Sequence, residues 1–358
     1  MLAGFLTTLF DHIPELSGAV SCHKRPRLFF GVSMSARYMQ PLRILTQFTF
    51  LGLVVWLILC FYNFVQYVNS PTARSIVARP DGIDGFLPIS GLLGSVSWLR
   101  GDGINTIHPA AVIVFITVIV VSLLLRRSFC SWICPVAALS ECAWKTGYKV
   151  FRRNWRLPVI MDVLLRGIKY ALMAFFIYGI AIAMSRDALL NFIHSDYHKI
   201  ADVRLMNFFL HLSPFAFGVI LIIVLSSFLL RNPLCRYLCP YGALLGLVAV
   251  LSPFRITRSS ESCISCGACS KVCPTYIDVM HKTSVASPEC IACWRCASHC
   301  RFNSALSMSA FQRFALPGFI FAILVVVLFY GGTVIGALSG HWHSSIAMEE
   351  YVRLLKNN

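Results

Sequence analysis

Apolar residues along this chain come in long blocks separated by short polar stretches. Five blocks, at roughly 48–68, 110–125 with its flanks, 167–185, 212–230 and 314–338, can each reach about 20 residues, the length a helix needs to cross ~30 Å of hydrocarbon. Any one of them could be a buried core helix, but five with so few charges would overfill a soluble core. The stretch 241–251 is apolar yet too short to span, so it is expected at the interface or re-entering the protein, with Pro253 releasing the chain. Between 255 and 313 there is little sustained period of either kind, which marks a small separate unit needing a cofactor for its core. The pattern predicts a membrane all-α helical bundle of about five spans with an inserted cysteine-rich segment. Its expected units are 1–44, a four-span domain 45–254, the insert 255–313, a fifth transmembrane helix 314–338 and a tail 339–358.

Composition agrees: 57% of the 358 residues are hydrophobic and 13% charged, against about 25% charged in a soluble domain. A net charge of +16 could mean nucleic acid, but such binders gather their cations on one polar face. Here they lie in loops between apolar blocks, and nucleic acid is not expected as a partner. Segments 1–44, 126–169 and 231–314 hold 23 of the 31 Lys and Arg, so the positive-inside rule predicts N-in, C-out and puts the insert in the cytoplasm. The Lys24, Arg25, Arg27 cluster follows the weak apolar start instead of preceding it, so no signal peptide is expected, and Met34 or Met39 is a candidate start.

The chain also repeats itself. LLRRSFCSWICPVAALSE (124–141) aligns with LLRNPLCRYLCPYGALLG (229–246), identical at 8 of 18 positions that include both cysteines and the proline. An internal duplication with pseudo-symmetric packing is the expectation.

The insert carries two cysteine runs. Cys263, Cys266, Cys269 and Cys273, followed by Pro274, have the C-x2-C-x2-C-x3-C-P spacing of bacterial ferredoxins; Cys290, Cys293, Cys296 and Cys300 repeat it. In that arrangement the last cysteine of each run ligates the other cluster. One 4Fe-4S cluster is therefore assigned to Cys263, Cys266, Cys269 and Cys300, the second to Cys290, Cys293, Cys296 and Cys273. Zinc sites use paired cysteines across a longer loop, and disulfides are disfavoured in a reducing cytoplasm. Arg301 stands where the second run would have its proline, and the charge of Arg301 and Arg295 should raise the potential of the nearby cluster.

The duplicated C-x3-C-P motifs, Cys130, Cys134, Pro135 and Cys235, Cys239, Pro240, put two thiols at i and i+4 on one helical face. Four converging thiols could hold an additional metal, a further cluster or a redox thiol pair, soft ligands suiting Cu(I) or iron; the plain alternative is small buried residues where helices pack. Cys22, Cys60 and Cys142 fit no spacing and are expected to be structural. His194, His198, His211, His341 and His343 on the outer side are expected to be solvated or capping rather than ligands of a metal or quinol. There is no C-x-x-C-H haem attachment, Walker A loop or G-x-G-x-x-G following a strand, so no catalytic residue or substrate site is expected, and a partner must supply the terminal chemistry.

Two C-x3-C-P motifs ahead of a two-cluster segment resemble the NapH/NosR-type membrane polyferredoxins over about residues 45–340. VARPDGIDGFLPISGLL (77–93), HPA (108–110), FCSWICPVAALSE, CRYLCPYGALLG and LSPFRI (251–256) look most like its YccM-type branch. The resemblance implies a bacterial inner-membrane electron-transfer protein, working between a cytoplasmic donor or the quinol pool and a membrane or periplasmic partner. The rival expectation is a copper-reducing, metal-handling maturation factor for a respiratory complex. The flavin-binding domain of the NosR branch has no counterpart here, so its flavin role is not carried over.

Overall fold

The computed structural model describes residues 33–69, 78–302, 305–311 and 314–356; Cys22 and most of the expected N-terminal segment lie outside them. Helix α1 (Ser33–Asn69) opens the bundle. Its stretch Tyr38–Val68 and the late helix Gly318–Leu338 are long and apolar enough to cross a membrane. Two more crossings are available as bent pairs: Val159–Ala183 with Arg186–Ile193, turning 110°, and Ala201–Leu210 with Pro214–Leu229, turning 81°. Each second helix starts at a serine cap. Ser185 accepts from the Ala188 amide and Ser213 from the Ala216 amide, with Pro214 at the first helical position.

In chain order after α1, the main helices are α2 (Pro88–Leu99), α3 (Pro109–Leu125), α4 (Ser128–Trp132), α5 (Pro135–Phe151), α6 (Val159–Ile177, continued by a wider turn to Ala183), α7 (Arg186–Ile193), α8 (Ala201–Leu210), α9 (Pro214–Leu229), α10 (Pro240–Val250), α11 (Gly318–Leu338) and α12 (Met348–Lys356). Length and composition thus give two spans, or four if each bent pair is one, where five blocks were expected. The difference falls at 110–125. Pro109 starts α3 and Arg126, at φ 58°, ends it after 17 residues. This helix is the bundle's centre, with Val112, Val118 and Val121 fully enclosed and α2, α10 and α11 packed around it. Gly332 and Gly336 of α11 leave no room for a Cβ against Thr117 and Ile113, which lets the two helices approach closely.

The segment expected to lack periodicity contains strands. β1 (Phe254–Arg258), β2 (Ser284–Val285), β3 (Leu306–Ala310) and β4 (Phe314–Leu316) form one antiparallel sheet in the order β2-β1-β3-β4. Pairing of Ile256 with Met308 joins the two ends of the insert. Because β4 occupies 314–316, the last long helix begins at Gly318, after Pro317. In the tail, α12 packs against α1, burying Tyr351 and Leu354 among Phe61, Phe64 and Val65.

Candidate iron-sulfur centres

Both cysteine runs are wound by one backbone device. Ser265 and Gly267 flank Cys266 at φ 56° and 71°; Ala292 and Trp294 flank Cys293 at 49° and 59°. Each left-handed turn costs a non-glycine residue about 1–2 kcal/mol and persists only where its surroundings enforce it. The result is a loop curled on its first two cysteines, then a one-turn helix (Ala268–Lys271 or Arg295–Ser298) that carries the third. The two one-turn helices pack together and carry the last cysteine of each run across to the other loop.

Two hollows follow from this winding. Cys263, Cys266, Cys269 and Cys300 line one, closed by Met280 and Phe302. Cys273, Cys290, Cys293 and Cys296 line the other, walled by Ile256 and Val285. Each bounds about 360–370 Å³ of space free of protein atoms, part of it open to solvent. Among the described residues no three His, Cys, Asp or Glu side chains stand close enough to share one metal ion: the thiols ring a space. Four soft ligands around a roomy apolar hollow are the donor set of an iron-sulfur cubane. Burial pushes the Cys293 thiol up to about 11, against the pull of Arg43 and Arg295, and lifts Cys296 well above its ordinary range. Thiolates here need a metal's positive charge beside them.

The second hollow lies against the membrane helices, the first faces outward with Cys266 exposed. Gln40 of α1 donates to the Cys293 carbonyl (2.8 Å), Trp132 to that of Ala292 (3.2 Å), Arg231 to that of Cys273 (3.2 Å) and Arg236 to that of Thr275 (2.6 Å). Glu141 of α5 binds Arg43 (2.7 Å), Lys145 (2.8 Å) and Arg295 (2.5 Å). Burial would raise its pKa, but those cations hold it well below the usual carboxylate range. Lys169, fully enclosed on α6, reaches both oxygens of Glu289 at 2.6 and 2.8 Å. Sequence reading missed this belt, although a lysine inside the apolar block 167–185 was a visible signal, since an ionisable group there needs a partner.

The C-x3-C-P motifs do not lie on one helical face. Cys130 is on α4 and Cys134 caps α5; Cys235 is in the wide turn Leu234–Leu238 and Cys239 caps α10. In both, the second cysteine's amide reaches back five residues, Cys134 to Phe129 (3.0 Å) and Cys239 to Leu234 (2.9 Å), a π-type turn of the kind found at functional sites. The proline that follows is the first residue of each helix. The Cys239 sulfur accepts from the Gly242 amide at 3.2 Å. Helix α5 packs along α9 and α10 along α3, so each motif's second helix lies on the other motif's first. Burial first, then Cys130 and Cys239, pushes Cys134 up to about 12, and burial with Cys134, Cys239 and Cys130 lifts Cys235 well above its ordinary range.

Among the described residues, the histidines expected on the outer side do not form a metal-type cluster. His198 is buried, its Nδ1 donating to the Ile193 carbonyl (3.0 Å); His341 meets Ser339 and His343 meets Asp81 at the surface. His108, which the histidine reading passed over, is fully enclosed between Asp84 Oδ1 (2.9 Å) and the His198 carbonyl (2.8 Å).

This geometry, with its thiol-lined hollows against apolar helices, defines a membrane protein of the iron-sulfur electron-transfer class. The family described as a 4Fe-4S dicluster domain matches residues 255–301, and the one described as a 4Fe-4S binding domain matches 107–158 and again 212–259. YccM of Escherichia coli strain K12 is 38% identical over 316 residues, 87% of this chain and 88% of that protein. The ferredoxin-type protein NapH of the same strain is 27% identical over 187 residues (49% and 59%), and NirI of Paracoccus denitrificans 30% over 173 residues (48% and 24%). No solved structure matches. The chain belongs to the NapH/NosR-type membrane polyferredoxin family, near YccM.

Proposed function

We propose that this protein relays electrons between a cytoplasmic donor or the quinol pool and a redox partner in the membrane or on its periplasmic side. The observation that carries this reading is the pair of hollows, each lined by three cysteines of one run and the last of the other. Cys263, Cys266, Cys269 and Cys300 would hold one 4Fe-4S cluster, and Cys290, Cys293, Cys296 and Cys273 the second. When bound, the clusters supply one-electron chemistry. The chain's part is to fix their separation, exclude water with Ile256, Val285 and Met280, and set local charge with Arg43 and Arg295. Exposed Cys266 makes the outward centre the contact point for a soluble partner.

The same reading takes the chain as crossing the bacterial inner membrane five times, N-in and C-out, with α3 as a crossing and the insert 255–313 in the cytoplasm. The skewed Lys and Arg distribution supports this orientation. The units 1–44, 45–254, 255–313, 314–338 and 339–358 go with it, and the matching π-type turns support an internal duplication. Cys130, Cys134, Cys235 and Cys239 form a further metal, cluster or redox thiol site. Were copper bound stoichiometrically there, the rival reading of a copper-reducing maturation factor would gain.

The test is anaerobic purification of the full chain with iron and sulfide counts and EPR. The expected result is at least about 8 irons per chain, four to a cluster. Cys273→Ser should disturb the signal assigned to the inner centre, and Cys300→Ser that of the outer one. An iron-free wild type, or Cys273→Ser acting only on the centre of its own run, would overturn the assignment.

A further inference from the structure

Each segment matched as a 4Fe-4S binding domain holds two motif cysteines, Cys130 and Cys134 in one, Cys235 and Cys239 in the other. Neither pair alone could ligate a cluster. The fold brings the pairs to one place: Cys130 and Cys235 line a third hollow with Arg127, Arg231, Arg236 and Glu289, and the Cys239 sulfur shares the space over Gly242 with an Arg127 Nη, a Cβ there meeting them at 3.4 and 2.9 Å; Cys134, which caps α5 four residues after Cys130, completes the set.

Arg127 is the second observation. Its side chain is 2% exposed, and its Nε has no hydrogen-bond partner. One Nη reaches the Pro288 carbonyl (3.2 Å) and stands 3.7 Å from Glu289. Gly242 of α10 makes room for it, since a Cβ there would meet Arg127 Nη2 at 2.9 Å, and Gly246 makes room for the Pro288 carbonyl that Arg127 binds, at 2.9 Å from a Cβ there. A guanidinium set beside Cys130 and Cys235 is a cation held ready for an anionic group. Four thiolates around iron and sulfide form such a group.

We infer that the four C-x3-C-P thiols jointly hold one third iron-sulfur cluster, with Arg127 as the positioning residue that offsets its negative charge. This rests on the electron-transfer reading above. The third hollow shares Pro274, Thr275 and Ile291 with the inner centre's hollow, so a single layer of residues separates them. The step is a one-electron transfer: the electron is lost at the group held by Cys273, Cys290, Cys293 and Cys296 and gained at the group held by the four motif thiols. No bond or proton is exchanged. The order of centres is then outer, inner, motif site, leading from the exposed Cys266 edge toward the membrane helices.

Full-length protein purified without oxygen tests this through iron, sulfide and copper counts with EPR redox titration. A 4Fe-4S occupant predicts about 12 irons in the wild type and about 8 in Cys235→Ser, with the two ferredoxin signals retained. Arg127→Gln should keep its iron but move the third midpoint to more negative potential, and Arg127→Lys should restore it. A wild type with about 8 irons, or a Cys235→Ser count equal to wild type, overturns the third cluster while leaving the two-cluster reading intact. Stoichiometric copper without additional sulfide overturns it in favour of a metal ion, and an iron-free wild type removes both readings. Should Cys235→Ser fail to fold, the wild-type count and the Arg127→Gln midpoint still decide.

Discussion

Arg43 and Arg295 are the cations that act on Cys293, and their placement refines the expectation built on Arg301 and Arg295. Arg301 is exposed, where water and salt screen it. Arg295 is buried and shares Glu141 with Arg43, so that carboxylate offsets part of the charge of both, and of the two Arg43 acts more strongly on Cys293. Arg43 is fully enclosed and lies beside the inner hollow. The prediction is that Arg43→Gln moves the inner centre's midpoint to more negative potential by more than Arg301→Ala does, measured by EPR-monitored redox titration. Equal shifts would show that exposure does not govern the effect. None of this could be read from the sequence, because Arg43 and Cys293 are 250 positions apart and only the docking of α1 against the second run brings them together.

At the level of elements, the duplicated motif was legible as a repeat but not as a shape. The spacing C-x3-C-P suggested one helical face; proline at the first helical position forced a break between the two cysteines and made the second a cap. The two copies also diverge where they matter. Aligned with Arg127 is Asn232, and aligned with Glu141 is Gly246, so only the first copy carries a charge at either position. The crossing of α5 and α9 depends on Gly147, where a Cβ would strike the Phe228 backbone carbonyl. Gly147→Ala should cost about 1–3 kcal/mol through overpacking, read as a lowered thermal midpoint in detergent. A midpoint equal to wild type would mean that α9 yields at that point.

Across the whole molecule, charge is paired at both ends of the bundle. At the end away from the cysteines, Arg79 bridges Asp84 and Asp202 (the latter at 2.8 Å), Tyr351 donates to Asp202 (3.1 Å), and His108 binds Asp84. Both ring nitrogens of His108 face acceptors, which requires the charged imidazolium. Burial opposes that charge, but Asp84 more than compensates and holds the pKa above its ordinary 6.5. Stability from His108 is therefore full below about 6.5 and lost as pH rises through the folded value. His198 behaves oppositely: burial and the neighbouring His108 lower it to about 4. The unfolded chain then binds the extra proton between about 6.5 and 4, and stability falls as the medium is acidified through that window. The pH profile of the thermal midpoint should peak near neutrality, and His108→Gln should flatten its alkaline side. An alkaline limb unchanged in that variant would remove His108 as its cause.

The sequence by itself determined the chemistry and the solvent. Thiol spacing of 2, 2 and 3 residues specifies cluster-type loops because ligation is local, and long apolar blocks specify membrane helices because hydrogen bonding and burial are settled within each segment. It could not decide how many blocks reach across, since Pro109 and Arg126 clip α3 and α2, α10 and α11 pack around most of it. The crossing of each run's last cysteine to the other loop followed from the ferredoxin spacing, but the sequence could not foresee Lys169 against Glu289 or Arg127 beside Cys130 and Cys235. Those depend on contacts between residues distant in the chain, whose energies arise only when the helices are packed and water has been excluded from between them.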